Sequence, residues 1–415
     1  MTTASLTQRL SAHLARSPNE SDRQRARLHL LDWLACVAGA RQSPLAAIVR
    51  AAEPDVLTRA ALLGNLLEMD DVHRTALLHP GPVVWPAAIS AAREVTGAMP
   101  ALLDGAIRGY EAMIAVGATF DAHHYAHWHP TSTAGGFGGA AAAASVFALD
   151  QTATGWALGN AGSVAGGVWR MRHEEAMTKA MHVARAAREG LWLARLARRG
   201  FTGPAQILEG EQGLYAAMVR APKPMILADG WLIHAVSFKP WAACRHVHPA
   251  IDGALELRER GALHLPVQVE TYADAIRFCD RPDPLTESDA RFSIQHAVAV
   301  IADGRNAAPQ DFTTEAIAQL AELRAQVTVR EGKAFTCAYP EHFGAQVASG
   351  DQAVTLVDTR GDPERPAGDA MLRAKLRALV GWGGLAAGEA DRAEDIARHG
   401  QDCGALFALL EDWLA

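Results

Sequence analysis

The sequence predicts a mainly α protein, with a large all-helical domain interrupted by a smaller α+β domain. Three observations point there. Every periodic pattern before residue 238 repeats at helical spacing. Val267-Gln268-Val269-Glu270-Thr271-Tyr272 then alternates as a strand does, and residues 327–329 and 345–357 also read as strands, paired with one another. After Pro366 the helical spacing returns and runs to Trp413. A chain that leaves a helical body and comes back carries an insertion. The expected division is therefore 1–238 and 367–415 for the helical domain, and 239–366 for an inserted lid.

Composition narrows the class. The chain has 415 residues, enough for two domains, with 49% apolar and 20% charged residues, as in an ordinary globular protein. Its net charge of -7 and lack of a long basic run argue against a nucleic-acid partner. Cys36, Cys244, Cys279, Cys337 and Cys403 form no CxxC pair, which disfavours a clustered zinc or iron–sulfur site. The opening stretch MTTASLTQRLSAHLARS has no apolar h-region, and no run of about twenty apolar residues occurs. The expectation is a cytoplasmic protein without signal peptide or membrane span.

Taken in order, Ser21-Asp22 is expected to cap a helix that carries Leu28, Leu31 and Leu34 and ends near Gly39. Short helices follow at 43–53 and 58–68. Next comes LLEMDDVHRTALLHPG, which gathers Glu68, Asp70, Asp71, His73 and His79. Carboxylates this close repel one another, raising at least one pKa unless cations neutralise them. Either a site or a solvated helix end fits. Helices are expected at 83–96 and from Pro100 onward, the latter carrying Arg108, Tyr110 and Glu111.

The densest chemistry lies in residues 125–150, YAHWHPTSTAGGFGGAAAAASVFALD. Pro130 restrains His129 to extended geometry, so His129 and the hydroxyls of Thr131, Ser132 and Thr133 read as a loop. The loop feeds a small-residue, deeply buried helix, whose N-terminus suits a carboxylate or phosphate. A Gly/Ala helix crossing with an incidental histidine fits the same residues. His123 and His127 are spaced i, i+4, but the glutamate of an HExxH motif is missing, so no metal is expected. Further on, Lys179 and His182 stand at i, i+3, where one helix face presents an ammonium and an imidazole, and a buried, charge-paired lysine is expected. Arg195, Arg198 and Arg199 read as a solvated helix end. GFTGPAQILEGEQGL reads as loop, Lys239-Pro240 opens an extended segment, and a helix enters through Pro249. Helices are also expected at 292–303 and 316–325.

A set of histidines, lysines and carboxylates without Rossmann or Walker patterns suits metal-free proton abstraction next to a carboxylate. A base takes the proton, cations hold the enediolate, and an acid expels the leaving group.

Four blocks carry a specific resemblance: MDDVHRTALLHPG, HYAHWHPTSTAGGFGGAAAAA, MTKAMHVARAAREG followed by GFTGPAQILEG, and KPWAACRHVHPAIDGALEL. Together they resemble the MmgE/PrpD family, which includes 2-methylcitrate dehydratase, cis-aconitate decarboxylase and iminodisuccinate epimerase. RFSIQHAVAVIADG is similar to the family's lid helix. The resemblance implies a cofactor-independent homodimer acting on a small di- or tricarboxylate, with the active site between helical domain and lid. It places His79, His129 and Lys179 at family active-site positions, Asp70 and Asp71 at an acidic pair, and Lys239 at a hinge lysine. Cys244 stands where the cis-aconitate decarboxylases have a catalytic histidine and other branches have cysteine. His296 stands where decarboxylase-like members have tyrosine, Glu68 replaces an aspartate, and Val72 replaces a hydroxyl residue. The catalytic candidates are His79, His129, Lys179, Asp70, Asp71 and Cys244. The substrate-binding candidates are Glu68, His73, Thr131, Ser132, His182, Lys239, Arg245, His248 and His296. The departures lower the decarboxylase reading, so the expected function is a hydro-lyase on a citrate- or 2-methylcitrate-like acid. An epimerase on a related acid and a non-catalytic carboxylate binder are the alternatives.

Overall fold

In the helical part of the chain, small residues decide how closely the helices approach. In the computed structural model, which describes residues 4–174 and 176–415, helix Pro130–Val146 is buried along almost its whole length. A Cβ added at Gly109 would stand 2.9 Å from the Gly138 carbonyl oxygen. One added at Gly190 would stand 2.6 Å from the Ala140 nitrogen. Helices Met99–Gly117 and Thr178–Arg198 thus press backbone to backbone on this central helix. The Gly/Ala crossing and the histidine-bearing helix start are one feature, since the crossing fixes the helix that His129 precedes.

The helix begins earlier than expected. Pro130 is its first residue, with His129 extended at φ -78° and ψ 109°, so Thr131, Ser132 and Thr133 lie in the first turn rather than in a loop. Proline is tolerated there because the first-turn N–H it lacks has no intrahelical acceptor. The long helix Glu20–Gly39 is capped by Asn19, not by Ser21-Asp22. The Asn19 side chain accepts from Asp22 N–H at 3.1 Å, and the Asp22 carboxylate accepts from Asn19 N–H at 2.8 Å. The helix expected to reach residue 68 stops at Leu63, and residues 64–80 form an irregular segment in which His73 and Leu78 pair as an isolated antiparallel bridge.

The chain divides into two compact units. One comprises Met1–Leu66, Asp70–Val236 and Leu372–Ala415, and its regular elements are helices. The C-terminal return is tied down by Lys375, whose ammonium donates to Asp32 at 2.6 Å between helices Asp369–Trp382 and Glu20–Gly39. The other comprises Ser237–Met371 together with the three-residue excursion Leu67–Met69.

The second unit holds a four-stranded mixed sheet: β1 Val267–Thr271, β2 Val327–Glu331, β3 Ala345–Ser349 and β4 Gln352–Leu356, in the order β2-β1-β3-β4. Residues 345–357 are a hairpin turning at Gly350, whose φ of +60° suits glycine. β3 pairs with β1 rather than with β2 as expected, because β2 returns parallel to β1 and takes its other side. Helix His248–Glu259 packs on the β3 face, where a Cβ on Gly253 would stand 2.6 Å from Val347 Cγ2. The helix expected at 316–325 is broken at Leu320. Helices Ala273–Cys279, Glu287–Arg291 and Lys333–Ala338 were not foreseen, being too short to show a period. No helix among the described residues is long and apolar enough to cross a membrane. The first three residues of the N-terminal stretch read above lie outside the described residues.

Candidate active site

His129 sits at the centre of the first unit's polar groups. Its backbone N–H donates to the Gly167 carbonyl at 2.8 Å, and its ring is buried, with Nδ1 3.4 Å from His182 Nδ1. Burial first, then the charges of Lys179, His182, His79 and Arg172, push the imidazole well below its ordinary 6.5. The result is a neutral ring at neutral pH, which suits a base and not an acid. His182 is pushed down as well, by burial and then by Arg185. Lys179 is the second residue of helix Thr178–Arg198 and half-buried, more open than the sequence reading had it.

His79 is oriented from two sides. Its backbone N–H donates to Thr131 Oγ1 at 3.1 Å, and its Nδ1 lies 2.9 Å from Asp70 Oδ2 and 3.2 Å from the Asp71 carbonyl. Both partners are acceptors, so Nδ1 carries the proton and Nε2 is turned away from them. Asp70 also accepts from Asn65 Nδ2 at 2.7 Å. Ser132 Oγ is buried and has no hydrogen-bond partner among the described residues.

Adjacent carboxylates have separate fates. Asp71 accepts from His29 Nδ1 at 2.7 Å, from the Tyr110 hydroxyl at 2.5 Å and from Gly81 N–H at 2.9 Å. Burial pushes its pKa up to about 6. With both oxygens engaged inside the fold, Asp71 holds the 64–80 segment to the helices and is placed as an anchor rather than a catalyst. His73 likewise serves its own turn, accepting from Ala76 N–H at 3.2 Å, and burial pushes it down to about 4.

The second unit carries the remaining candidates. Glu68, at φ 56°, lies on the excursion Leu67–Met69, and its carboxylate is 3.8 Å from the fully buried Lys239 ammonium. Cys244 N–H donates to the Arg291 carbonyl at 2.8 Å, and its buried thiol is hydrogen-bonded with that of Cys279. Arg245, proposed above to hold substrate, is paired internally through one nitrogen, while its buried Nη1 has no hydrogen-bond partner among the described residues. One nitrogen donates to both oxygens of Asp362, at 2.6 and 2.7 Å, and Ser237 and Thr359 N–H donate to the same carboxylate. Asp362→Asn leaves that guanidinium buried against a neutral amide and is expected to cost about 3–5 kcal/mol. Urea unfolding measures it, and a loss below about 1 kcal/mol would refute the buried-pair account. His248 Nε2 donates to the Ala243 carbonyl at 3.1 Å at the start of helix His248–Glu259. His296 Nε2 donates to the Asp311 carbonyl at 2.8 Å and is pushed down to about 4 by burial. Both imidazoles are occupied within their own unit, which explains their burial without a ligand.

Residues 57–226 match the MmgE/PrpD N-terminal domain, and residues 241–400 match the MmgE/PrpD C-terminal domain. The chain belongs to the MmgE/PrpD family. Among curated proteins it is similar to the cis-aconitate decarboxylase of Homo sapiens, 33% identical over 190 residues, which is 43% of this chain and 39% of that one. It is also similar to the cis-aconitate decarboxylase of Mus musculus, 31% identical over 198 residues, 44% of this chain and 40% of that one. A third relative is the cis-aconitate decarboxylase-like protein oryM of Aspergillus oryzae, 31% identical over 161 residues, 37% of this chain and 33% of that one. The matched stretch therefore spans about two fifths or less of each relative's length.

Within this MmgE/PrpD chain the sequence reading passed over several residues that shape the site. Asn65, His29 and Tyr110 orient the acidic pair, and Asp362 pairs with one nitrogen of Arg245. Trp169 packs on His129, with ring centroids 4.4 Å apart and planes at 32°. It follows Gly166-Gly167-Val168, a pairing of glycines with an aromatic that signals a close approach, but nothing local says to what.

Proposed function

We propose that the chain is a lyase that dehydrates a hydroxylated di- or tricarboxylate by proton abstraction next to a carboxylate. The observation that carries this reading is the buried, neutral His129 among cationic and imidazole groups. His129 takes the α-proton, breaking the C–H bond. The resulting enediolate is held by the Lys179 ammonium. Its electron pair forms the C=C bond as the β C–O bond breaks, and His79, turned by Asp70, delivers a proton so that water leaves. His182 and the first turn of helix Pro130–Val146 line the same region and suit a substrate carboxylate. The family resemblance implies that this occurs in a cofactor-independent homodimer.

The names of the similar proteins favour a second reading, decarboxylation of an unsaturated tricarboxylate. There the C–C bond to a carboxylate breaks, carbon dioxide leaves and a proton must be added to carbon. An imidazole pushed well below its ordinary range is almost wholly unprotonated at neutral pH and has no proton to deliver, and the family resemblance places Cys244 where the decarboxylases have a catalytic histidine. Both points favour abstraction.

Proton NMR in deuterated buffer, with EDTA present, separates the readings. Citrate, 2-methylcitrate, isocitrate, malate, tartrate and cis-aconitate are each mixed with the protein. A new vinyl signal from a hydroxy acid supports the dehydratase. Release of carbon dioxide from cis-aconitate would replace it with the decarboxylase, and exchange of an α-proton without a new olefin would replace it with an epimerase.

A further inference from the structure

We infer that Trp169 is a positioning residue, an indole wall that fixes the His129 ring and separates it from solvent. This rests on the role proposed above for His129. The indole centroid lies 4.4 Å from the His129 ring, and the Arg172 guanidinium carbon lies 3.6 Å from the same indole centroid. Arg172 is itself held over the Tyr125 ring at 4.9 Å. The indole is thus in contact with both an imidazole and a cation, an arrangement that favours one orientation.

The segment bearing Trp169 is also locked to the segment bearing His129. Gly167 accepts the His129 N–H at 2.8 Å, and Trp128 and Val168 form an isolated antiparallel bridge. Gly167, at φ +110°, comes so close to Ser132 that a Cβ there would overlap its side chain. A rigid backbone on both sides gives the ring contact a defined geometry, as a supporting shell requires.

The exposure pattern completes the argument. Trp169 lines a recess of about 530 Å³ with His123, His127, Trp128, Val168 and Arg170. His127, Val168 and Arg170 are exposed and Trp169 is half-buried, whereas His129 is 1% exposed. The indole therefore forms a boundary between a solvent-open recess and the imidazole. Keeping water from that ring preserves the low pKa that burial produces.

The test has one arm that needs no substrate. Diethylpyrocarbonate attacks neutral imidazoles, and peptide mapping by mass spectrometry reads His129 separately from the other histidines. In Trp169→Ala, His129 is expected to react about tenfold faster than in the native protein, with Trp169→Phe restoring most of the protection. An unchanged rate in Trp169→Ala, with circular dichroism showing a native fold, overturns the wall. If Trp169→Ala does not fold, Trp169→Leu takes its place. The second arm uses whichever acid the native protein turns over. Misplacing His129 is expected to lower kcat about a hundredfold while KM stays within about threefold, with recovery in Trp169→Phe. Native-like kcat with an exposed His129 overturns the positioning role. Absence of turnover by the native protein counts against the proposed function alone, and the modification rates then decide the inference.

Discussion

His129→Asn is expected to lower turnover about a thousandfold while leaving the fold in place. The side chain removed is the base of the proposed dehydration. The asparagine amide still reaches the place of Nδ1 and can keep the contact with His182, now 3.4 Å from His129 Nδ1. It cannot take a proton at neutral pH. Neither member of the acidic pair replaces it, because Asp71 is engaged by His29, Tyr110 and Gly81, and Asp70 by Asn65 and His79. The backbone role of His129, its N–H to Gly167, is unaffected by the substitution. Steady-state kinetics on the acid found by NMR, with a thermal melt as the fold control, measures the effect. Turnover within a few-fold of native in a folded variant would remove His129 from the mechanism.

The second large effect is acid destabilisation. Acidifying from pH 7 to pH 5 is expected to cost the helical unit at least about 2 kcal/mol. His73 and His124 are pushed down to about 4 by burial, and His29 and His129 lie well below their ordinary 6.5 for the same first reason. A histidine whose folded pKa is depressed binds its proton first in the unfolded chain. Its contribution is intact above 6.5 and is lost as pH falls below that value. At pH 5 His73 and His124, at about 4, remain largely unprotonated in the folded state, so the cost of each is set mainly by the unfolded pKa, about 2 kcal/mol, and His29 and His129 act in the same direction. Two carboxyls act the other way. Burial raises Asp32 and Asp71 to about 6, so the folded chain binds their protons first and each returns about 1 kcal/mol over the same interval. The histidines win by number. Urea midpoints at pH 7, 6 and 5, at fixed ionic strength, should fall with each step, and a flat or rising series would contradict the buried neutral histidines. A loss of this size is a large fraction of an ordinary stability of about 5–15 kcal/mol.

Local chemistry in the sequence reached as far as element type and family. The alanine run and glycines of residues 130–146 forced a buried helix, because residues with so little bulk stabilise a helix mainly by letting neighbours come close. The switch from helical spacing to alternation placed a sheet in the second half of the chain, and the four motif blocks carried the MmgE/PrpD membership. The proline at residue 130 is legible too, but in the sequence it reads as part of a loop, whereas in the fold it marks the helix start.

What stayed hidden depends on contacts between residues far apart in sequence. Five-residue strands of similar alternation carry no mark of their neighbours, so nothing local placed β1 between β2 and β3. Asp70 and Asp71 look equivalent in the chain. The fold turns one to His79 and the other to His29 and Tyr110, which are tens of residues away. The same holds for His248 and His296, whose ring nitrogens meet carbonyls that no spacing rule identifies. Trp169 is forty residues from the ring it covers, and a half-buried indole beside two glycines has no sequence signature of its own. Residue type states which chemistry a side chain is capable of. Its partners determine which of those capacities remain, and the folded chain brings those partners together.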